Sequence, residues 1–290
     1  MSATVPAEGD HAVSTQARDL AAPPPIRQAD RRQPPSERRS AAMQGTIGFI
    51  GSGMIGTAVA GLAVKAGYEV VLSNSRGPET LAGLVADLGP GARAATPAEA
   101  ARDADLVVIA VPLTALDRLP VEALAGKTVI DAGNYYPQRD GHLPELDSDE
   151  LTSSALLQQR LPESRVVKAF NNIAFSLIAA LARPANAPDR SALPIAGDDA
   201  AAKHEAAALL DALGWDTVDF GSLAESWRSA PDTPVYVMPY LGELPAEGVT
   251  DFLSWVTQIP GAPVPADTVA KLIDAAVRLP AAATELPNLA

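Results

Sequence analysis

The chain has 290 residues, 47% hydrophobic and 20% charged, which is enough for one large domain or two smaller ones. Its 22 basic and 35 acidic residues give a net charge of −13, so there is no broad basic surface for a nucleic-acid backbone. Cysteine is absent and the only histidines are His11, His142 and His204, which excludes disulfide scaffolds, thiolate sites and cysteine nucleophiles and argues against a metal centre.

Apolar runs are short. Residues 106–112 are typical, and none approaches the roughly 18–20 residues of a membrane span. Seventeen Arg against five Lys, with abundant Ala, read as the coding bias of a GC-rich bacterial genome. Residues 1–42 mix Pro, Arg, Gln, Ser and Asp with no apolar period, and are expected to form a disordered N-terminal extension. They contain no apolar leader core, so a cytoplasmic protein is expected. Met43, just before the first strand signal, offers a second start position.

From there the pattern alternates. GTIGFI (45–50) is an apolar run that meets a glycine cluster and a helical stretch over 55–65. YEVVL (68–72) is the next strand. A helix over 78–88 opens with Pro78, where a missing N–H costs nothing. A short strand is predicted over 92–95. Thr96 and Glu99 form a capping-box signature for the following helix. LVVIAV (106–111) is a continuously apolar strand, as expected when both faces of a sheet are covered. A helix over 113–124 spans Pro120. TVIDA (128–132), RVVKAF (165–170) and 193–196 are further strands. A helix over 198–213 precedes a strand over 216–220. Residues 231–242 are expected to be irregular, with amphipathic helices over 249–258 and 266–279. This alternation predicts an α/β chain: a Rossmann-type doubly wound parallel sheet, with a small, mostly helical C-terminal portion. The domains expected are a dinucleotide-binding unit over 43–198 and a substrate or dimerisation region over 199–290.

The strongest motif is Gly51-Ser52-Gly53-Met54-Ile55-Gly56, which follows a strand and opens a helix. Gly51 permits the tight turn, Gly53 lets backbone approach a pyrophosphate, and Gly56 lets helix and strand pack closely. The helix N-terminus then offers unpaired N–H groups to the diphosphate. The end of the second strand selects the cofactor. An NAD site places an acid here for the ribose 2′-OH. This chain has Asn74, Ser75 and Arg76 instead, and a guanidinium with hydroxyl and amide donors suits a 2′-phosphate. NADP(H) is therefore expected. Val111 and Pro112 end the fourth strand and would wall the nicotinamide side. Asn134, Tyr135 and Asn171, at two further strand ends, are candidates for the nicotinamide and substrate end. Tyr135 and Tyr136 read equally well as packing at a domain edge.

The segments GFIGSGMIGTAVA, LSNSRGPETL, VVIAVPL, IDAGNYYP, VVKAFNNI and IAGDDAAAK together resemble the coenzyme F420-dependent NADP oxidoreductase family over roughly residues 45–230. The resemblance implies hydride transfer between NADPH and a deazaflavin stacked near the nicotinamide. It carries the family's dinucleotide-binding positions to Ser52, Gly53, Met54, Ile55, Ser75, Arg76, Val111 and Pro112. NYYPQRDGHLPELD and the segments around Glu225-Ser226-Trp227 and 234–242 resemble a bacterial subgroup rather than the archaeal type. The nucleotide-binding domain of membrane ferric reductases is similar too, although no stretch here could serve as their membrane part.

Hydride transfer between flat rings needs positioning and exclusion of water more than side-chain chemistry. Tyr135, His142 and Lys168 are the candidate proton donors, with an exposed loop histidine and a strand-end lysine as the plainer readings of the last two. Three functions follow. The first is an NADPH-dependent oxidoreductase acting on coenzyme F420 or a flavin-like acceptor. The second is an NADPH-dependent reductase of a small carbonyl or imine. The third is a non-catalytic NADPH sensor. No nucleic-acid, membrane or metal partner is expected, and a homodimer is expected from the family and from the frequency of symmetric pairs.

Overall fold

A computed structural model describes residues 45–245 and 249–284; the N-terminal extension and Met43 lie outside the described residues. The strands are β1 (Thr46–Ile50), β2 (Glu69–Ser73), β3 (Ala92–Ala94), β4 (Leu106–Ile109), β5 (Thr128–Asp131), β6 (Arg165–Lys168), β7 (Ala192–Gly197) and β8 (Asp216–Asp219). The first helices are α1 (Met54–Lys65), α2 (Ala82–Leu88), α3 (Pro97–Asp103), α4 (Val121–Leu124), α5 (Pro137–Asp140) and α6 (Pro144–Asp147). They are followed by α7 (Ser153–Arg160), α8 (Phe175–Ala180), α9 (Ala200–Ala212), α10 (Met238–Leu241), α11 (Phe252–Val256) and α12 (Ala266–Asp274).

One sheet runs β3-β2-β1-β4-β5-β6-β7-β8. Strand order reverses between β1 and β4, which opens a crevice beyond their carboxyl ends. Both faces are covered, and the strand sequences explain why. Alternate residues leave opposite faces of a strand. Val108, Ile130 and Val167 enter one core with Phe49, α1 and α9. Val107, Ile109, Val129 and Val166 enter the other with Leu124 and α7. A strand buried on both sides must be apolar without interruption, which is the reason for LVVIAV.

The fold is the expected Rossmann-type α/β class, with one departure from an all-parallel sheet. Pairing is parallel from β3 through β6, but β6 and β7 are antiparallel, and β7 pairs parallel with β8. The connection from β6 to β7 carries the six-residue α8. An apolar run carries no signal of strand direction. The single helix predicted over 113–124 is instead a 3-10 turn, Leu113–Arg118, followed by α4. The break falls at Pro120, which has no N–H to donate. The last predicted helix stops at Asp274 rather than 279, and the segment 231–242 contains the short α10. The capping box at Thr96 and Glu99 is formed in full. Beyond residue 199, α9 packs on the sheet and β8 extends it. No helix among the described residues is long and apolar enough to cross a membrane.

Candidate active site

The glycine loop between β1 and α1 separates into two packing glycines and one open one. Gly51 has φ +107°, and a Cβ there would lie 2.3 Å from the Ala110 carbonyl oxygen. At Gly56 a Cβ would lie 2.1 Å from the Gly51 carbonyl oxygen. Both are required by protein against protein. A Cβ on Gly53 would meet nothing within 4 Å. Gly53 is also the N-cap of α1, without a side-chain cap, so the first-turn N–H groups face the crevice with no capping side chain. Bare backbone beside open space is the cradle a diphosphate requires, and here the residues fit it. Ser52 is committed elsewhere: its hydroxyl donates to the Ser73 carbonyl at 2.8 Å, the same oxygen that accepts from the Gly51 N–H at 3.1 Å. It shapes the loop from within.

The loop after β2 is organised by Asn74. Its Oδ1 accepts the Arg76 N–H at 2.9 Å, and its Nδ2 donates to Thr80 Oγ1 at 2.9 Å. This Asx-type turn leaves Ser75 and Arg76 exposed, with no carboxylate paired to Arg76 among the described residues.

Between the glycine loop and the C-terminal segment lies a cleft of about 600 Å³, whose lining does not include Asn74, Ser75 or Arg76. Gly53, Met54, Ile55, Val111, Pro112, Asn134 and Asn171 all line it. Asn134 and Asn171 are locked together: Asn134 Nδ2 donates to the Asn171 carbonyl at 2.8 Å, and Asn171 Nδ2 donates to Asn134 Oδ1 at 3.1 Å. The opposite wall is aromatic and apolar, with Phe170, Phe175, Tyr236, Met238 and Phe252.

The polar group that sequence reasoning missed is Tyr136. It lines the cleft, and its hydroxyl is hydrogen-bonded to that of Tyr236. The Arg139 guanidinium lies 5.0 Å from the centroid of the Tyr136 ring. Arg139 is itself held by both oxygens of buried Asp140, at 3.0 and 2.8 Å, and by the Asn134 carbonyl at 2.7 Å. Asp140 also accepts the Tyr136 N–H at 3.1 Å. Burial pushes the Tyr136 hydroxyl above its ordinary range, partly offset by the bond from Tyr236, and pushes Tyr236 well above it. Both phenols therefore stay protonated at neutral pH.

Three proposed proton donors lie away from the cleft lining. Tyr135, next door to Tyr136, donates to Asp147 Oδ1 at 2.6 Å and accepts the Leu143 N–H at 3.1 Å. Burial first, then that carboxylate, raises its pKa to about 12. His142 is exposed and pairs with Asp147 Oδ2 at 2.9 Å. Lys168 is fully buried, bonded to Asp131 Oδ2 at 3.1 Å and to the Gly133 carbonyl. Tyr136 precedes Pro137, which holds it extended at φ −135°, ψ 108°. Neighbours in extended chain point to opposite sides, so only one tyrosine of the pair can face the cleft. The motif NYYP carried that much; which one faces in depends on the packing around it.

Residues 46–135 match the family model described as NADP oxidoreductase, coenzyme F420-dependent. A candidate F420-dependent NADP-reductase from Arthrobacter sp. FB24 is 31% identical, with a TM-score of 0.54 over 63% of this chain and 87% of that one. The protein SMa0349 of Sinorhizobium meliloti is 28% identical, with a TM-score of 0.57 over 67% and 93%. Metalloreductase STEAP3 of Rattus norvegicus is 32% identical over 196 residues. The chain spans 37% and 39% of the lengths of the two curated relatives it matches, STEAP3 and the Escherichia coli protein YjhV. The glycine cradle, the acid-free loop after β2 and these relatives agree: the chain belongs to the coenzyme F420-dependent NADP oxidoreductase family.

Proposed function

We propose that the chain passes a hydride between NADP(H) and a flat redox ring, a deazaflavin such as coenzyme F420 or a flavin, held in the cleft beside Gly53. The observation that carries this reading is the cleft itself. It begins at bare backbone suited to a diphosphate and ends in a chamber walled by the partly exposed Phe175, Tyr236 and Phe252. A planar conjugated ring can stack on such walls, and apolar surroundings exclude the water that would compete for a hydride.

The backbone of Gly53, Met54 and Ile55 would hold the diphosphate, and Ser75 and Arg76 the 2′-phosphate. Val111, Pro112 and the interlocked Asn134–Asn171 pair would fix the nicotinamide end. Bound NADP(H) supplies or accepts the hydride; the protein positions two rings and keeps them dry. Both rings must be present together, because reactive carbons need to approach to about 3–3.5 Å. A homodimer working in the cytoplasm belongs to the same proposal, and light scattering on eluting protein checks the dimer.

An acceptor screen tests the function. NADPH consumption is followed by absorbance with F420, FMN, riboflavin, ferric chelates, simple aldehydes and a cyclic imine. Turnover with F420 or FMN well above that with the others is expected. The hydroxyls of Tyr136 and Tyr236 at the cleft wall favour a second reading, reduction of a small carbonyl or imine; turnover confined to those compounds would replace the first.

A further inference from the structure

The Tyr136–Tyr236 pair has features that simple packing does not require. Two phenols placed for packing would bury their rings and send their hydroxyls to water or backbone. Here both hydroxyls meet each other at the wall of the cleft. Each side of the pair is rigidly set. Tyr136 is clamped by Asp140 on its N–H and by Arg139 over its ring. Tyr236 is set by the next residue, Val237, which has φ 54° and ψ −55°. With the Met238 N–H donating to the Tyr236 carbonyl, this is a γ-turn of the rare, strained kind, in a β-branched residue. The Val237 N–H is tied to the Asn172 carbonyl at 2.9 Å, which holds the turn in place. Phe170 and Asp232, at φ 61° and 67°, also have left-handed backbone and line the same cleft. Backbone strain of this kind persists where surrounding structure over-determines it, and it concentrates at functional sites.

Proton counting makes the pair a donor. Two phenols carry two protons, and one of them is spent on the bond between the hydroxyls. The other remains available to a ligand atom. We propose that the Tyr136–Tyr236 pair is the polar contact of the second substrate, donating a hydrogen bond, and then its proton, to a nitrogen or oxygen conjugated with the hydride-accepting atom. This rests on the hydride-transfer reading above. The balance is simple. As the acceptor gains a hydride with its electron pair, a π pair of the acceptor shifts onto that nitrogen or oxygen. A phenolic O–H bond breaks, an N–H or O–H bond forms on the acceptor, and the electrons of the broken bond stay on the phenolate. The other hydroxyl donates to that phenolate, the Arg139 guanidinium beside the Tyr136 ring steadies it, and water at the cleft mouth returns the proton.

The test uses the full chain and the variants Tyr136→Phe, Tyr236→Phe and the double variant. Binding of oxidised F420 and of FMN is read by fluorescence quenching with NADP+ present, so that no turnover intervenes. The double variant is expected to bind the ring about tenfold more weakly, as loss of one buried hydrogen bond implies, while each single variant keeps one phenol proton and loses less. NADPH titrations should agree with wild type within about twofold, which also reports an intact fold. Single-turnover reduction should slow about a hundredfold or more in the double variant, as for loss of a general acid. Wild-type ring binding and wild-type rates in the double variant would overturn the proposal while leaving the acceptor reading intact. If aldehydes or the imine turn over and the rings do not, the acceptor reading falls, and the same variants judge the tyrosine pair on that substrate by rate. If NADPH is oxidised by no acceptor, both fall together.

Discussion

The ammonium of Lys168 and the carboxylate of Asp131 face each other at 3.1 Å, buried beneath the ends of two adjacent strands. They are register partners in β5 and β6, so the parallel ladder itself places them side by side. Asp131 also accepts the Ser154 hydroxyl at 2.7 Å and the Gly133 N–H at 2.8 Å. Lys168 is thus a structural cation that supports the 131–134 turn. Replacing it by Met leaves a buried carboxylate without its partner and is expected to cost about 3–5 kcal/mol of stability. Urea unfolding measures this, and protein that remains folded should still bind NADPH. A variant of unchanged stability that had lost turnover would instead return Lys168 to the chemistry.

The glycines of the first loop should separate cleanly. Gly56→Ala drives a methyl group into the Gly51 carbonyl and should cost about 1–3 kcal/mol or more of stability. Gly53→Ala meets no protein atom, so the unliganded variant should melt at the wild-type temperature. The added methyl group stands where the diphosphate is expected, so NADPH should bind at least about tenfold more weakly, 1.4 kcal/mol. Thermal melts with and without NADPH distinguish the two; an unchanged NADPH shift in Gly53→Ala would place the diphosphate elsewhere.

Arg76 should discriminate between the two nicotinamide cofactors. Among the described residues its exposed guanidinium makes no hydrogen bond or ion pair, so Arg76→Ala should fold normally. It should weaken NADPH by about 1.5–3 kcal/mol, the range for charge-assisted hydrogen bonds, with NADH nearly unaffected. Calorimetry with both nucleotides checks this, and equal losses would remove Arg76 from the 2′-phosphate.

Tyr135 has a pH signature of its own. Its hydroxyl titrates near 10 when unfolded and at about 12 in the fold, because burial and the Asp147 carboxylate disfavour the phenolate. A raised folded pKa stabilises the protonated state, so this contribution is complete below pH 10 and is lost as pH rises towards 12. Tyr135→Phe should therefore have a flatter stability curve over that alkaline interval, together with a loss of about 1 kcal/mol at neutral pH. Urea midpoints across the interval measure both effects. Parallel curves would mean that the hydroxyl is not shielded.

Much of the molecule could be read in one dimension. The cofactor end is encoded in contiguous stretches: a strand, three glycines and the first turn of a helix, then three residues after the next strand. Local geometry follows directly from such stretches, because backbone N–H groups and φ angles belong to neighbours in the chain. The two-sided core was equally legible, since a strand covered on both faces has to be apolar throughout.

The substrate end was not legible in this way. Tyr136 and Tyr236 stand 100 residues apart, and nothing near either one names the other. Which of the two adjacent tyrosines turns inward depends on Asp140, Arg139 and the helices packed around them. The fate of Lys168 depends on strand register, and the reversal of β7 on which edge of the sheet it meets. These features arise when separate segments meet, through hydrogen bonds and burial between parts of the chain that carry no local record of each other. A linear reading therefore reached the glycine loop and the loop after β2, while the Tyr136–Tyr236 pair emerged from packing.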